Sequence, residues 1–362
     1  MQRRAFNKLL CSWLGCASLG TGHLLHAATP LWFASASEDS EGRHSVVVFD
    51  EVGGERFRHP LISRAHQVLK HPTRDLLLVV DRRPGRYLDV LDSRTGTLLK
   101  RLSPQEGQDF CGHIQFTLDG RFLLTTESIT HSSEGLVVTR DLDDDFDVIG
   151  RVSSGGLGPH QLIVADADTL VVANGGIHER GREKLNLQTM QPNLSYLDLH
   201  SGDIVEQVAL AADYHQASIR HIDVVQGQVL LAMQHQGALT EQVPLVARHR
   251  RGEAIEPLPI PEAEYFQLRQ YCGSACLSAS ASTAAVSAPR GDKILFWDLE
   301  RGDFLRAVKV ADGCGIARTE TADEYLISSG RGRTYRINAR SGVRRKLSDK
   351  PTLKWDNHLA RV

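Results

Sequence analysis

Ile294-Leu295-Phe296-Trp297-Asp298-Leu299-Glu300-Arg301-Gly302 is a short apolar run that stops at an acid and reaches a glycine four residues later. A run of this length, ended by turn residues, reads as a β-strand entering a hairpin. The acid caps the turn through its side chain, and glycine supplies the left-handed conformation that precedes the next strand. The same unit recurs at Asp92-Ser93-Arg94-Thr95-Gly96 and Asp198-Leu199-His200-Ser201-Gly202, with variants at Asn338 to Gly342 and Asp50 to Gly53. Weaker copies fall near Asp141 and at Arg250 to Gly252, which makes seven. Other short apolar runs, such as Leu76-Leu77-Leu78-Val79-Val80 and Val229-Leu230-Leu231, supply further strands, and no long helical period competes with them.

A second repeat opens each unit. It reads Arg64-Ala65-His66-Gln67-Val68, Cys111-Gly112-His113-Ile114, Gly158-Pro159-His160-Gln161-Leu162, Ile219-Arg220-His221-Ile222, Cys272-Gly273-Ser274-Ala275, Cys314-Gly315-Ile316-Ala317 and Asp356-Asn357-His358-Leu359. Positions 66, 113, 160, 221, 274, 316 and 358 align, at intervals of 47, 47, 61, 53, 42 and 42 residues. One four-stranded propeller blade needs roughly 40 to 50 residues. The fold class expected is therefore all-β, a seven-bladed β-propeller. Its last strand, Leu359 to Val362, should be the innermost strand of the blade built from about Trp32 to Ser63, closing the ring and covering sheet edges.

In such a ring the first strand of each blade lines the central channel, and it starts on the face where the second strand ends. Two residue sets should converge there. The strand openings bring His66, His113, His160, His221 and His358, with Ser274 and Ile316 completing the circle. The ends of second strands bring Arg82, Arg83, Glu127, Asn174, Gln234, Arg290 and Arg331, and Arg220 adjoins His221. Five imidazoles in register either fill a narrow channel mouth, bonded to water and loops, or ligate a transition metal such as iron, copper or zinc. The arginines favour an anionic ligand, a carboxylate or a metal chelate. Cys111, Cys272 and Cys314 precede their aligned positions by two and should share a strand face with them. They are inert, or disulfide-forming (Cys272 with Cys314), or soft metal ligands. The insertion from Asn174 to Pro192, with Arg180, Arg182 and Asn186, is expected as a rim over the same funnel.

Composition narrows the classes. The chain has 362 residues, 41% hydrophobic and 24% charged, with 42 basic and 44 acidic side chains and 16 histidines. Near-neutral charge without a basic stripe makes nucleic acid a poor partner. GxSxG, Walker, HExxH and CxxCH motifs are absent, and Asp141 to Asp147 lacks a calcium-loop pattern. At the N-terminus, Arg3-Arg4-Ala5-Phe6-Asn7-Lys8, an apolar stretch from Leu9 to Leu25 and small residues at Ala27 and Ala28 read as a twin-arginine leader over 1–28. Residues 29–362 then form one periplasmic propeller domain with no transmembrane segment. A membrane anchor and a lipid anchor at Cys16 are weaker readings of the same stretch.

The segments Ala65-His66-Gln67-Val68, Asp81-Arg82-Arg83-Pro84-Gly85, Gly158-Pro159-His160-Gln161-Leu162, Val172-Ala173-Asn174-Gly175-Gly176-Ile177, Ser218-Ile219-Arg220-His221, Ser287-Ala288-Pro289-Arg290-Gly291 and Trp355-Asp356-Asn357-His358 resemble a bacterial family of twin-arginine-exported proteins classed as a domain of unknown function. The sequence departs from that pattern around Cys111 to Asp119. The resemblance implies partners among imelysin-type, iron-regulated periplasmic proteins, and hence iron acquisition. Three readings follow: a metal- or chelate-binding module, a lactonase-like hydrolase using a metal and Glu127 as base, or an interaction scaffold with a filled channel.

Overall fold

A computed structural model describes residues 31–181 and 183–362. The twin-arginine stretch and Arg182 lie outside the described residues. Among those described, seven antiparallel sheets of four or five strands follow one another as the blades of a propeller. Six blades run in chain order from an innermost strand outwards, and their innermost strands are Ala65–Lys70, Gln108–Phe116, Pro159–Val164, Ala217–Val225, Ala275–Leu277 and Gly313–Arg318. The remaining blade combines Trp32–Asp39, His44–Asp50 and Glu55–Pro60 with C-terminal strands. No helix among the described residues is long and apolar enough to cross a membrane.

The repeated hairpin joins the third and fourth strand of each blade. Asp92 accepts hydrogen bonds from the backbone N–H groups of Arg94 and Thr95, Asp198 from those of His200 and Ser201, and Asp298 from those of Glu300 and Arg301. The glycines that follow take φ of +75°, +77° and +74° at Gly96, Gly202 and Gly302, a region that other residues enter only with strain.

The core is divided into seven clusters, one between each pair of adjacent blades. Along a strand, side chains alternate between faces. Leu77 and Val79 therefore pack against Ala34, Val46 and Val48 of the blade before, while Leu78 and Val80 pack against Phe110, Ile114 and Leu123 of the blade after. Trp297 likewise faces Leu230 and Val246, and Phe296 faces Tyr325 and Ile327. Burial on both faces is why these middle strands are continuous apolar runs and show no polar alternation.

Ring closure departs from the expected single strand. The C-terminal segment pairs with Trp32–Asp39 in two short pieces, Leu353–Trp355 and Ala360–Arg361. Between them the chain leaves the ladder over 356–359, which places His358 in the gap. Trp355 stacks on Phe49 at 4.6 Å, and Asp356 takes Arg64 of the neighbouring blade at 3.1 Å through Nη2.

Candidate functional site

The innermost strands share a second irregularity. Their pairing register breaks between Ala65 and Val68, Phe110 and Ile114, Pro159 and Gln161, Ile219 and His221, and Gly313 and Ile316. A bulge of this kind re-aims a side chain out of the pleat. Four of the five breaks hold or adjoin a histidine of the aligned set, and the interruption at 356–359 does the same for His358. The result is a cluster of five rings on the channel axis. Successive centroids lie 4.6–4.9 Å apart for the pairs 66–113, 66–358, 113–160, 113–358, 160–221 and 221–358. The ligating nitrogens of His66, His113, His221 and His358 all fall within 4.8 Å of one another. His160 joins through its Nε2, 3.2 Å from that of His221, and the Nε2 atoms of His113 and His358 are 3.0 Å apart.

Two glutamines fix this register across blades. The side-chain oxygen of Gln67 accepts the N–H of Ile114 at 2.7 Å, and that of Gln161 accepts the N–H of Ile222 at 2.9 Å. In each case a residue that follows one histidine ties down the backbone just after the next blade's histidine. Sequence reading passed over these glutamines as positioning residues, although the repeated dipeptides His66-Gln67 and His160-Gln161 were the available signal.

Burial sets the charge state. It pushes the pKa of His66, His113, His160 and His221 well below the ordinary 6.5, helped by the neighbouring imidazoles and arginines, and brings His358 down to about 4. The rings are therefore neutral at pH 7, the form that ligates metals. Both nitrogens of His66 and Nδ1 of His160 are buried without a hydrogen-bond partner, while the rings of His113 and His221 face the backbone of His160 and Gly273. Buried polar atoms are nearly always paired, which sets this cluster apart from the apolar packing between the blades.

Above the cluster opens a cavity of about 380 Å³. Its lining includes His66, His160, His221, Cys111, Arg82, Arg83, Arg220, Gln234 and Arg290, which are residues expected from sequence. Glu179, Gly181 and Lys184 of the insertion, together with Tyr271 and Asn357, complete the wall. The insertion thus reaches the mouth, through a two-stranded ribbon of Glu179–Arg180 and Glu183–Lys184. Asn186 secures it, accepting the N–H of His178 at 2.7 Å and donating to the Gly176 carbonyl at 2.9 Å. Among the described residues the one carboxylate in the wall, Glu179, is paired with Arg83 at 2.9 Å, and Arg290 lies 4.3 Å over the Tyr271 ring. Arg220 is 5% exposed, and its Nε and Nη1 have no partner. Burial, then the nearby Arg83, lowers its pKa to about 9.

Other expected residues are placed elsewhere. Glu127 is buried within its blade, bonded to Arg140 at 3.0 Å and to Thr125 at 2.8 Å, and does not line the cavity. Asn174 is consumed by Ser154, Asn193 and Ser195. Arg331 is exposed and outside the lining. Ser274 donates to the Asn357 carbonyl, bracing the closing loop instead of meeting the cavity. The cysteines need correction as well. The four cysteines among the described residues, Cys111, Cys272, Cys276 and Cys314, are buried free thiols, so Cys272 and Cys314 form no disulfide. Each sits in a different interblade cluster, and burial raises both thiols to about 12. Cys111 alone touches the cavity wall, with its thiol also pushed up to about 12 by burial, and it is not among the four clustered donors.

Among solved structures the fold is shared by hydrazine synthase of Kuenenia stuttgartiensis (TM-score 0.62, 12% identity, 88% of this chain and 95% of that one). It is shared equally by a putative 6-phosphogluconolactonase of Bacteroides fragilis (TM-score 0.62, 13% identity, 93% of this chain and 99% of that one). At such identities the likeness concerns the propeller and not the chemistry. No curated protein matches the sequence. Residues 59–362, which carry every one of the clustered histidines, match a single family throughout, and the chain belongs to that family, described as Protein of unknown function (DUF1513).

Proposed function

We propose that this protein is a periplasmic binding module that holds one transition-metal ion, or its anionic chelate, on the axial imidazoles of a propeller. One observation carries the reading: His66, His113, His221 and His358, from four different blades, bring donor nitrogens within 4.8 Å of one another while burial keeps them neutral. An all-imidazole donor set suits iron, copper or zinc. Export through the twin-arginine route rests on Arg3-Arg4-Ala5-Phe6-Asn7-Lys8 and the apolar stretch after it. Service to imelysin-type proteins in iron acquisition rests on the family resemblance and extends the same proposal. The hydrolase reading lacks support at the cavity, because Glu127 is spent on Arg140 and Glu179 on Arg83.

Metal titration of the purified full chain, with elemental analysis, tests the proposal. The expected result is one ion per chain, lost when His113, His160 and His221 are replaced together by Gln in a variant whose circular dichroism is unchanged. Absence of stoichiometric binding of zinc, copper and iron by the natural sequence would overturn it.

A further inference from the structure

A cation on these rings meets an electrostatic problem. Neutral imidazoles bring no negative charge, and among the described residues the charged wall of the cavity is cationic through Arg83, Arg220, Arg290 and Lys184, with one carboxylate, Glu179, already paired to Arg83. A bare divalent ion would add two positive charges to a region that repels them, in surroundings too buried for full screening. The neutralising group must therefore come with the cargo.

Arg220 shows where that group would sit. It directly precedes His221 on the same innermost strand, lines the same cavity, and is buried with Nε and Nη1 unpartnered. Its Nη1 packs close to Gly175, where a Cβ would lie 3.2 Å away, which fixes the position of the guanidinium. A planar guanidinium carries five N–H donors and holds a carboxylate or phosphate oxygen by charge-assisted hydrogen bonds. The cavity, at about 380 Å³, also exceeds what a lone ion needs and falls at the small end of organic-ligand pockets.

We propose that metal and a small oxyanion of the carboxylate, carbonate or phosphate class occupy the cavity jointly, one anion oxygen ligating the metal and another hydrogen-bonded by the Arg220 guanidinium. This rests on the metal reading above. The anion cancels the charge that the imidazoles cannot, and the metal supplies the attraction that makes a buried guanidinium pocket selective for a chelating anion. Binding of the two is therefore reciprocally coupled.

Cobalt(II) titration of the full chain, in chloride buffer and again with oxalate or inorganic phosphate, tests this, with solution complexes subtracted. The expected result is a tightening of cobalt binding of about tenfold or more by one of the two anions. A change in the visible cobalt spectrum should accompany it, and cobalt should tighten that anion by the same factor. In Arg220→Met the ratio of the two cobalt affinities should fall towards one, and Arg220→Lys should restore part of it. Should both Arg220 variants fail to fold, Arg290→Met at the exposed mouth should lower the ratio. Cobalt binding that neither anion tightens would overturn joint occupancy and leave the metal site standing. Anion binding that is undiminished in His66→Gln/His221→Gln would also overturn it. Failure to bind cobalt under every condition would instead defeat the underlying metal reading.

Discussion

Gly112 stands between Cys111 and His113 at φ +96°, and a methyl group there would meet His66 Cδ2 at 2.9 Å. The residue does two things that no side chain permits: it lets the bulge form, and it leaves room for the neighbouring imidazole. Gly112→Ala should lower stability by about 2 kcal/mol from backbone strain alone, read as a lower urea midpoint, and should weaken metal binding by displacing His66. The imidazoles give a second expectation. Their folded pKa values lie below the unfolded 6.5, so between the two values the unfolded chain binds protons that the folded one refuses. Stability is full above about pH 6.5 and falls on acidification towards pH 4. His358 alone accounts for up to about 3 kcal/mol of this, at ~1.4 kcal/mol per pH unit. Urea midpoints at pH 7 and pH 4.5 should differ less in His358→Gln than in the natural sequence.

The elements explain what could and could not be read in advance. The aligned histidines were legible because a repeat at blade spacing leaves a mark in the sequence. The bulges that aim them were not, since an extra residue in a ladder changes no composition and breaks no hydrophobic pattern. Nor could sequence tell which second-strand ends would reach the cavity. Glu127 and Arg82 occupy comparable places in the repeat, yet Glu127 finds Arg140 on the adjacent strand and stays inside the blade. Asn174 is captured in the same way by Asn193 and Ser195. A polar side chain at a strand end goes to whichever partner the next strand offers, and that partner is set by register. Gln161 is where register and site meet. Gln161→Ala should leave the Ile222 N–H unsatisfied at a cost of about 1–3 kcal/mol. It should weaken metal binding several-fold through His221, while Gln161→Glu, which keeps an acceptor, should lose less. Urea melts and cobalt titrations on the two variants measure both effects.

For the whole molecule, seven near-equivalent interfaces make the ring only as sound as its seam. The seam was legible because His358 had no blade of its own unless the N-terminal strands received it. Its detail, two short pairings around a loop, was not, because a break in a ladder leaves no mark in the hydrophobic pattern of so short a segment. Removing residues from Leu353 onward should expose the edge of Trp32–Asp39, strip Trp355 from Phe49 and delete one imidazole. The expected outcome is loss of the cooperative unfolding transition and of metal binding, checked by circular dichroism and titration. Asp356→Asn should be milder, about 1 kcal/mol, since its partner Arg64 is 43% exposed.

The histidines at 66 and 358 touch in the finished ring but are 292 residues apart along the chain. A nascent chain therefore cannot assemble the full set of rings until residue 358 has been made. Any ligand that needs all of the rings must wait for that residue, so the order of synthesis sets the earliest moment at which the cluster can act.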